Sequence, residues 1–86
     1  MLESTQIQNF RIIRLEFHDE NANSHKYYKI ENCDEDMFLC SWGRIGNVNQ
    51  SNIYIIYKAS KASKKLAEKL KKGYKIVSIK KFEENI

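Results

Sequence analysis

Apolar and polar residues alternate along Ile13-Arg-Leu-Glu-Phe17, which puts Ile13, Leu15 and Phe17 on one side and Arg14 and Glu16 on the other. A period of two is that of a half-buried strand, and it predicts one over residues 10–17. The polar run His18–His25 reads as a loop. Tyr28 and Ile30 then share a face within a second strand, residues 26–33. The acidic turn Asp34-Glu-Asp36 leads into a third, residues 37–42. Gly43 to Asn49 reads as a turn region, since Gly and Asn tolerate positive φ. Asn52-Ile-Tyr-Ile-Ile-Tyr-Lys58 is rich in β-branched and aromatic residues and predicts a fourth strand.

There the period changes. Ala62, Leu66 and Leu70 recur every fourth residue, with Ala67 and Tyr74 beside them, which is the stripe of an amphipathic helix. Ser60 reads as its N-cap and Gly73 falls where a helix C-cap belongs. Residues 74–82 alternate again except at Ile76-Val77, and form a last strand or an extended tail. Strands, one helix and a strand in this order predict an α+β fold, a small antiparallel β-sheet of four to five strands with one α-helix packed on it. Tyr28, Ile30, Ile53, Ile55, Leu66 and Leu70 are the expected core of that packing.

The chain has 86 residues without proline, linker or repeat, so a single domain over residues 1–86 is expected, with its core over about residues 10–82. A chain this short buries one modest core. No apolar run approaches the roughly 20 residues that span a bilayer. The N-terminus lacks the basic head and apolar stretch of a signal peptide, so a cytoplasmic protein with no membrane partner is expected. Cys33 and Cys40 do not form a disulfide framework, and no cysteine or histidine spacing signals zinc. Both are expected to be small buried hydrophobes kept reduced.

Charge changes the picture through its distribution. Residues 1–57 hold five Lys or Arg against eight Asp or Glu, whereas residues 58–81 hold ten lysines and one glutamate. Such asymmetry points to an anionic partner: nucleic acid, anionic lipid or an acidic protein surface. Within the predicted helix, Lys61, Lys64, Lys65, Lys69, Lys71 and Lys72 surround Glu68 alone, which leaves little scope for stabilising ion pairs. Lysines in its first turn also oppose the helix dipole. The apolar stripe is narrow and has no Trp or Phe to insert, which disfavours a lipid surface. A basic wall tracking phosphates fits better.

Catalysis finds no support. Ser41, Ser60, His18 and His25 are suitable residue types, but no spacing orients one toward another. Asp34, Glu35 and Asp36 read as a hairpin turn and not as an acid/base pair. Gly43 and Gly46 are too few for a phosphate-cradling loop and open no helix. A non-enzyme without cofactor or metal is expected.

Trp42 is the single tryptophan, and Gly43 and Arg44 follow it. An indole next to a glycine can stack on a base or a sugar, worth about 1–3 kcal/mol per stacked base. A guanidinium two residues on can hold a phosphate with two hydrogen bonds. A structural tryptophan at a sheet corner accounts for the same residues, and both readings stand at this point.

Taken together, Tyr27-Tyr28, the run Trp-Gly-Arg-Ile-Gly at residues 42–46, Gln50 a fixed step later and Lys-Leu-Lys-Lys-Gly-Tyr at residues 69–74 resemble the WGR domain. That module is named for the tripeptide found here at Trp42, Gly43 and Arg44, and it occurs in poly(ADP-ribose) polymerases and in bacterial proteins. The likeness covers about residues 10–80. It implies a WGR-like sheet with one helix, and DNA binding without catalysis at ends, nicks or non-specific duplex. It further implies that Trp42 packs against a terminal sugar while Arg44 contacts phosphate or a partner. His25, Lys26, Gln50, Lys64 and Lys65 complete the expected nucleic-acid-binding set with Gly43. His25 stands where the family often has Asn, and Asn49 where it usually has Gly before the Gln. An adaptor that docks a partner protein through the same Trp and Arg is the alternative.

Overall fold

The alternation that begins at Phe10 runs past its apolar part to Asp19, giving β1 (Phe10–Asp19) in the computed structural model, which describes residues 9–34, 36–46 and 53–82. It is followed by β2 (Ser24–Asp34), β3 (Met37–Arg44), β4 (Ile53–Tyr57), the helix α1 (Ala59–Lys71) and β5 (Lys75–Lys81). The sheet order is β4-β3-β2-β1-β5, with every neighbouring pair antiparallel. β4 and β5 are therefore the two edges, and α1 carries the chain across one face of the sheet between them. Among the described residues this is the expected α+β architecture, five strands and one helix.

Register explains the core. Ile13 lies opposite Ile30, which lies opposite Cys40, while Leu15, Tyr28 and Trp42 form the next row. These rows share the face that α1 covers, and Ile13, Leu15, Tyr28, Ile30, Phe38 and Cys40 are buried there with Ala59, Ala62 and Leu66.

Several expectations are corrected. His18–His25 is not a loop: both histidines are strand residues and the turn narrows to 20–23, where Asn23 takes a positive φ of 50°. Ile55 pairs with Cys40 in register yet is 43% exposed, and Leu70 is 42% exposed. Ile55 sits on an edge strand, and the helix stripe that faces the sheet is Ala59, Ala62, Ser63 and Leu66, which carries Leu70 beyond the buried rows. The side chain of Ile53 lies outside the described set. Cys33 is exposed and not buried, because it is the extra residue where the β2–β3 register shifts between Asn32 and Asp34. The adjacent Ile76 and Val77 also have a physical reason. Arg14 pairs with Ser78 and Leu15 with Ile76, so Val77 is a bulge residue that breaks the alternation of β5.

Ser60 is not the cap of α1. Lys58 is the capping residue, with extended backbone and no side-chain bond, and the Ala59 N–H donates instead to Asp36 Oδ1 at 2.7 Å. A first turn without an acid of its own thus receives a carboxylate from the β2–β3 turn. At the other end Gly73 takes φ 102°, its N–H donates to the Leu70 carbonyl at 3.1 Å and that of Tyr74 to the Lys69 carbonyl at 3.0 Å. This is the Schellman pattern. It lays Tyr74 against Phe17, ring centroids 5.5 Å apart, and docks the helix end on β1.

Candidate nucleic-acid interface

β3 continues through the Trp-Gly-Arg triplet, so Gly43 and Arg44 stand in the sheet with Trp42 and not in the expected turn. Trp42 pairs with Tyr28, Gly43 with Tyr27 and Arg44 with Lys26, and the Ile45 N–H donates to the His25 carbonyl at 2.9 Å. Pairing across strands thereby brings His25 and Lys26 beside Gly43 and Arg44. Trp42 is half-buried and stacks on Tyr28, with centroids 6.1 Å apart and planes 14° from parallel. Its two readings are therefore not exclusive: one face of the indole belongs to the core and the rest of the ring borders open clefts.

Two clefts meet at that ring. The first, about 320 Å³, is bounded by residues 22–27, Trp42, Gly43, Arg44, Lys69 and Tyr74. The second, about 240 Å³, is bounded by Tyr28, Trp42, Ile55, Tyr57, Lys65 and Lys69. Trp42 and Lys69 line both. Ile55, displaced from the core, is the apolar wall of the second.

Three of the lysines are held on aromatic rings. Lys69 Nζ lies 4.9 Å from the Tyr28 ring centre and 5.4 Å from that of Tyr74. Lys65 sits 5.9 Å from the Tyr57 ring and Lys26 5.6 Å from the Phe17 ring. Such contacts place an ammonium group without cancelling its charge. Partial burial, followed by repulsion from Lys72, pulls the Lys69 pKa below the ordinary lysine value, and Glu68 works against that shift. Burial raises the pKa of Tyr28, helped by the neighbouring Cys40 thiol, and burial raises that of Tyr74. Both phenols are therefore neutral hydrogen-bonding groups at the cleft walls. Arg44 is exposed and donates from Nη2 to the Asn23 carbonyl at 2.9 Å, tying the β1–β2 turn to the end of β3.

Trp42, Gly43, Arg44, His25 and Lys26 are thus gathered at the first cleft and Lys65 at the second. Lys64 is not among them: it lies on another side of α1 with Ala67, Glu68, Leu70 and Lys71. Gln50 lies outside the described residues. Lys69, expected only as part of the helix's basic wall, and Tyr74, expected only beside the helix stripe, also line these clefts. Their signal was present in the helix spacing, since Lys69 follows Ala62 and Leu66 on the sheet-facing side. Glu68 pairs with Lys65 at 3.7 Å and with Lys72 at 3.5 Å, and the charge of Lys65 in particular holds its carboxyl below the usual range. Among the described residues no helix is long and apolar enough to cross a membrane.

A small antiparallel sheet carrying one helix, with lysines and an arginine set on an aromatic cleft, defines a binding module. The chain matches the WGR domain family over residues 12–82, nearly its whole length, and belongs to that family. WGR domains are generally nucleic-acid-binding modules and not catalytic domains. Comparison with curated proteins and with solved structures gave no match.

Proposed function

We propose that this chain is a non-catalytic module that binds DNA at ends or nicks through the clefts around Trp42. The observation that carries the reading is the shared wall: Trp42 and Lys69 border both clefts, with Lys26 and Arg44 on one side and Lys65 on the other. An indole fixed by Tyr28 offers a rigid apolar edge with cations on either hand. Within a continuous duplex the sugar and base faces are covered by their neighbours. A terminal or nicked nucleotide exposes such a face, and covering it adds about 1–3 kcal/mol for a stacked base. The lysines add affinity that does not depend on sequence and falls with salt. No base-reading role is assigned to α1, whose lysines at the clefts lie on Tyr57, Tyr28 and Tyr74.

The test is a binding series with blunt, nicked, single-stranded and closed circular DNA of one sequence. The proposal expects blunt and nicked substrates to bind more tightly than closed circles, and equally well when the sequence is scrambled. Equal affinity for closed and nicked circles would refute end recognition.

One observation favours a second reading, docking of a partner protein. The edge strand β4 exposes Tyr54, Ile55 and Ile56 in succession. A partner seated there would give a shallow salt dependence, where phosphate contacts give a steep one.

A further inference from the structure

At the β1–β2 hairpin, pairing sets His18 directly opposite His25. His25 borders the first cleft, but its Nδ1 meets the Nδ1 of His18 at 2.8 Å. The second nitrogen of His18, Nε2, is 2.9 Å from Glu16 Oε1, and Glu16 Oε2 accepts from Arg14 Nε at 2.9 Å. Each oxygen of the Glu16 carboxylate thus faces a nitrogen, and a carboxylate only accepts. His18 Nε2 therefore carries the hydrogen in this contact. If His18 is neutral, its Nδ1 presents a lone pair to His25.

Ring centroids 5.0 Å apart with the two nitrogens 2.8 Å apart describe a nearly head-on approach with one hydrogen between them. Zinc bonds to histidine are about 2.0–2.1 Å, so a tetrahedral ion holds two ligand nitrogens about 3.3 Å apart. A tetrahedral ion lies off the line between the nitrogens, so it can replace the shared hydrogen once the rings part by about 0.5 Å and each turns by about 35° to aim its lone pair at the ion. Both contacts are solvent-exposed, which leaves the side chains room for that turn. A carboxylate on the far nitrogen of a ligating imidazole is the usual orienting partner in metal sites, and Glu16 already occupies that place.

We propose that His18 and His25 form a two-imidazole site for a borderline divalent ion of the zinc class, with Glu16 as the positioning residue for His18. Among the described residues no group of three or more His, Cys, Asp or Glu is assembled around a metal position. The ion therefore keeps its remaining coordination positions for water or for an oxygen ligand such as phosphate. The neutral pair binds it without net proton release: His25 gives up its Nδ1 hydrogen and takes one from water at Nε2. Sequence spacing gave no sign of this site, because strand pairing joins residues seven apart.

The experiment is a zinc titration of the full chain carrying Cys33→Ser, followed by the histidine ring NMR signals and by competition with a chromophoric metal indicator. The result expected is one saturable site at which both ring signals move together. His18→Gln and His25→Gln should each weaken it more than tenfold, and Glu16→Gln by about tenfold. Unmoved ring signals at millimolar zinc would overturn the proposal, as would undiminished affinity in either histidine variant. The parent ring signals decide the matter even if a variant fails to fold.

Discussion

Replacing Lys69 by methionine removes the ammonium group and keeps the unbranched stem that lies over Tyr28 and Tyr74. The structure allows its cost to be bounded. Two cation–π contacts, at 4.9 and 5.4 Å, are lost, each worth about 0.5–1 kcal/mol where water still reaches the charge. Against this stand the partial burial of the charge and repulsion from Lys72, Lys65 and Lys26, partly offset by Glu68. Methionine recovers part of the loss through sulfur–aromatic contact, about 0.3–1.5 kcal/mol. The direction of the pKa shift fixes the sign. A lysine whose folded pKa is lowered holds fewer protons folded than unfolded as pH rises through that value, so stability grows with pH up to the ordinary lysine range. Lys69→Met should change stability by less than about 1 kcal/mol, within the span of these contact terms, and should remove the Lys69 share of the alkaline pH dependence, leaving the loss of stability at high pH that the raised Tyr28, Tyr74 and Cys40 values impose. Binding should respond differently: losing one phosphate contact flattens the plot of log affinity against log salt by about 0.9. Urea unfolding and a salt series of fluorescence anisotropy on the same preparation measure both. A loss of more than about 2 kcal/mol with an unchanged salt slope would make Lys69 a structural strut and refute the reasoning.

Three further outcomes follow from named contacts. Leu66→Ala, at the buried centre of the helix stripe, should cost about 2–5 kcal/mol in a thermal or denaturant melt, a large share of a small domain's stability. Asp36→Ala leaves the Ala59 N–H without its acceptor and should cost about 0.5–2 kcal/mol in the same melt, while Ser60→Ala should leave it nearly unchanged. Lys65→Gln should weaken DNA binding and reduce its salt slope by about 0.9, whereas Lys64→Gln, on the other side of α1, should do so much less.

Strand identity was legible wherever one face is buried, because period two records burial directly: Ile13, Leu15, Tyr28 and Ile30 are all in the core. It failed at His18 and His25, where both residues are polar although the backbone stays paired. Ile55 and Leu70 show the complementary limit. Periodicity names a face, but whether that face is covered depends on where the helix crosses and on which strand is an edge. Capping by Asp36 was hidden for the same reason, since the donor and acceptor are 23 residues apart. At the site, the Trp-Gly-Arg triplet marked the place, and its neighbours His25 and Lys26 came through family resemblance. Lys69 was obscured by its residue type, because a lysine among lysines reads as a solvated face until the rings beneath it are seen.

The central claim is that the clefts around Trp42 recognise an interrupted strand. Its most direct test is the ratio of affinities for nicked and closed circular DNA, measured for the parent and for Trp42→Ala below the melting temperature of the variant. Trp42 stacks on Tyr28, so the substitution will lower stability in either case, and the ratio alone carries the answer. With a stacking contribution of about 1–3 kcal/mol, the parent ratio should lie well above one and fall toward one in Trp42→Ala, with the salt slope retained. A destabilised Trp42→Ala that keeps the parent's preference for nicks would contradict it, returning the indole to the core and leaving the lysines as the binding surface.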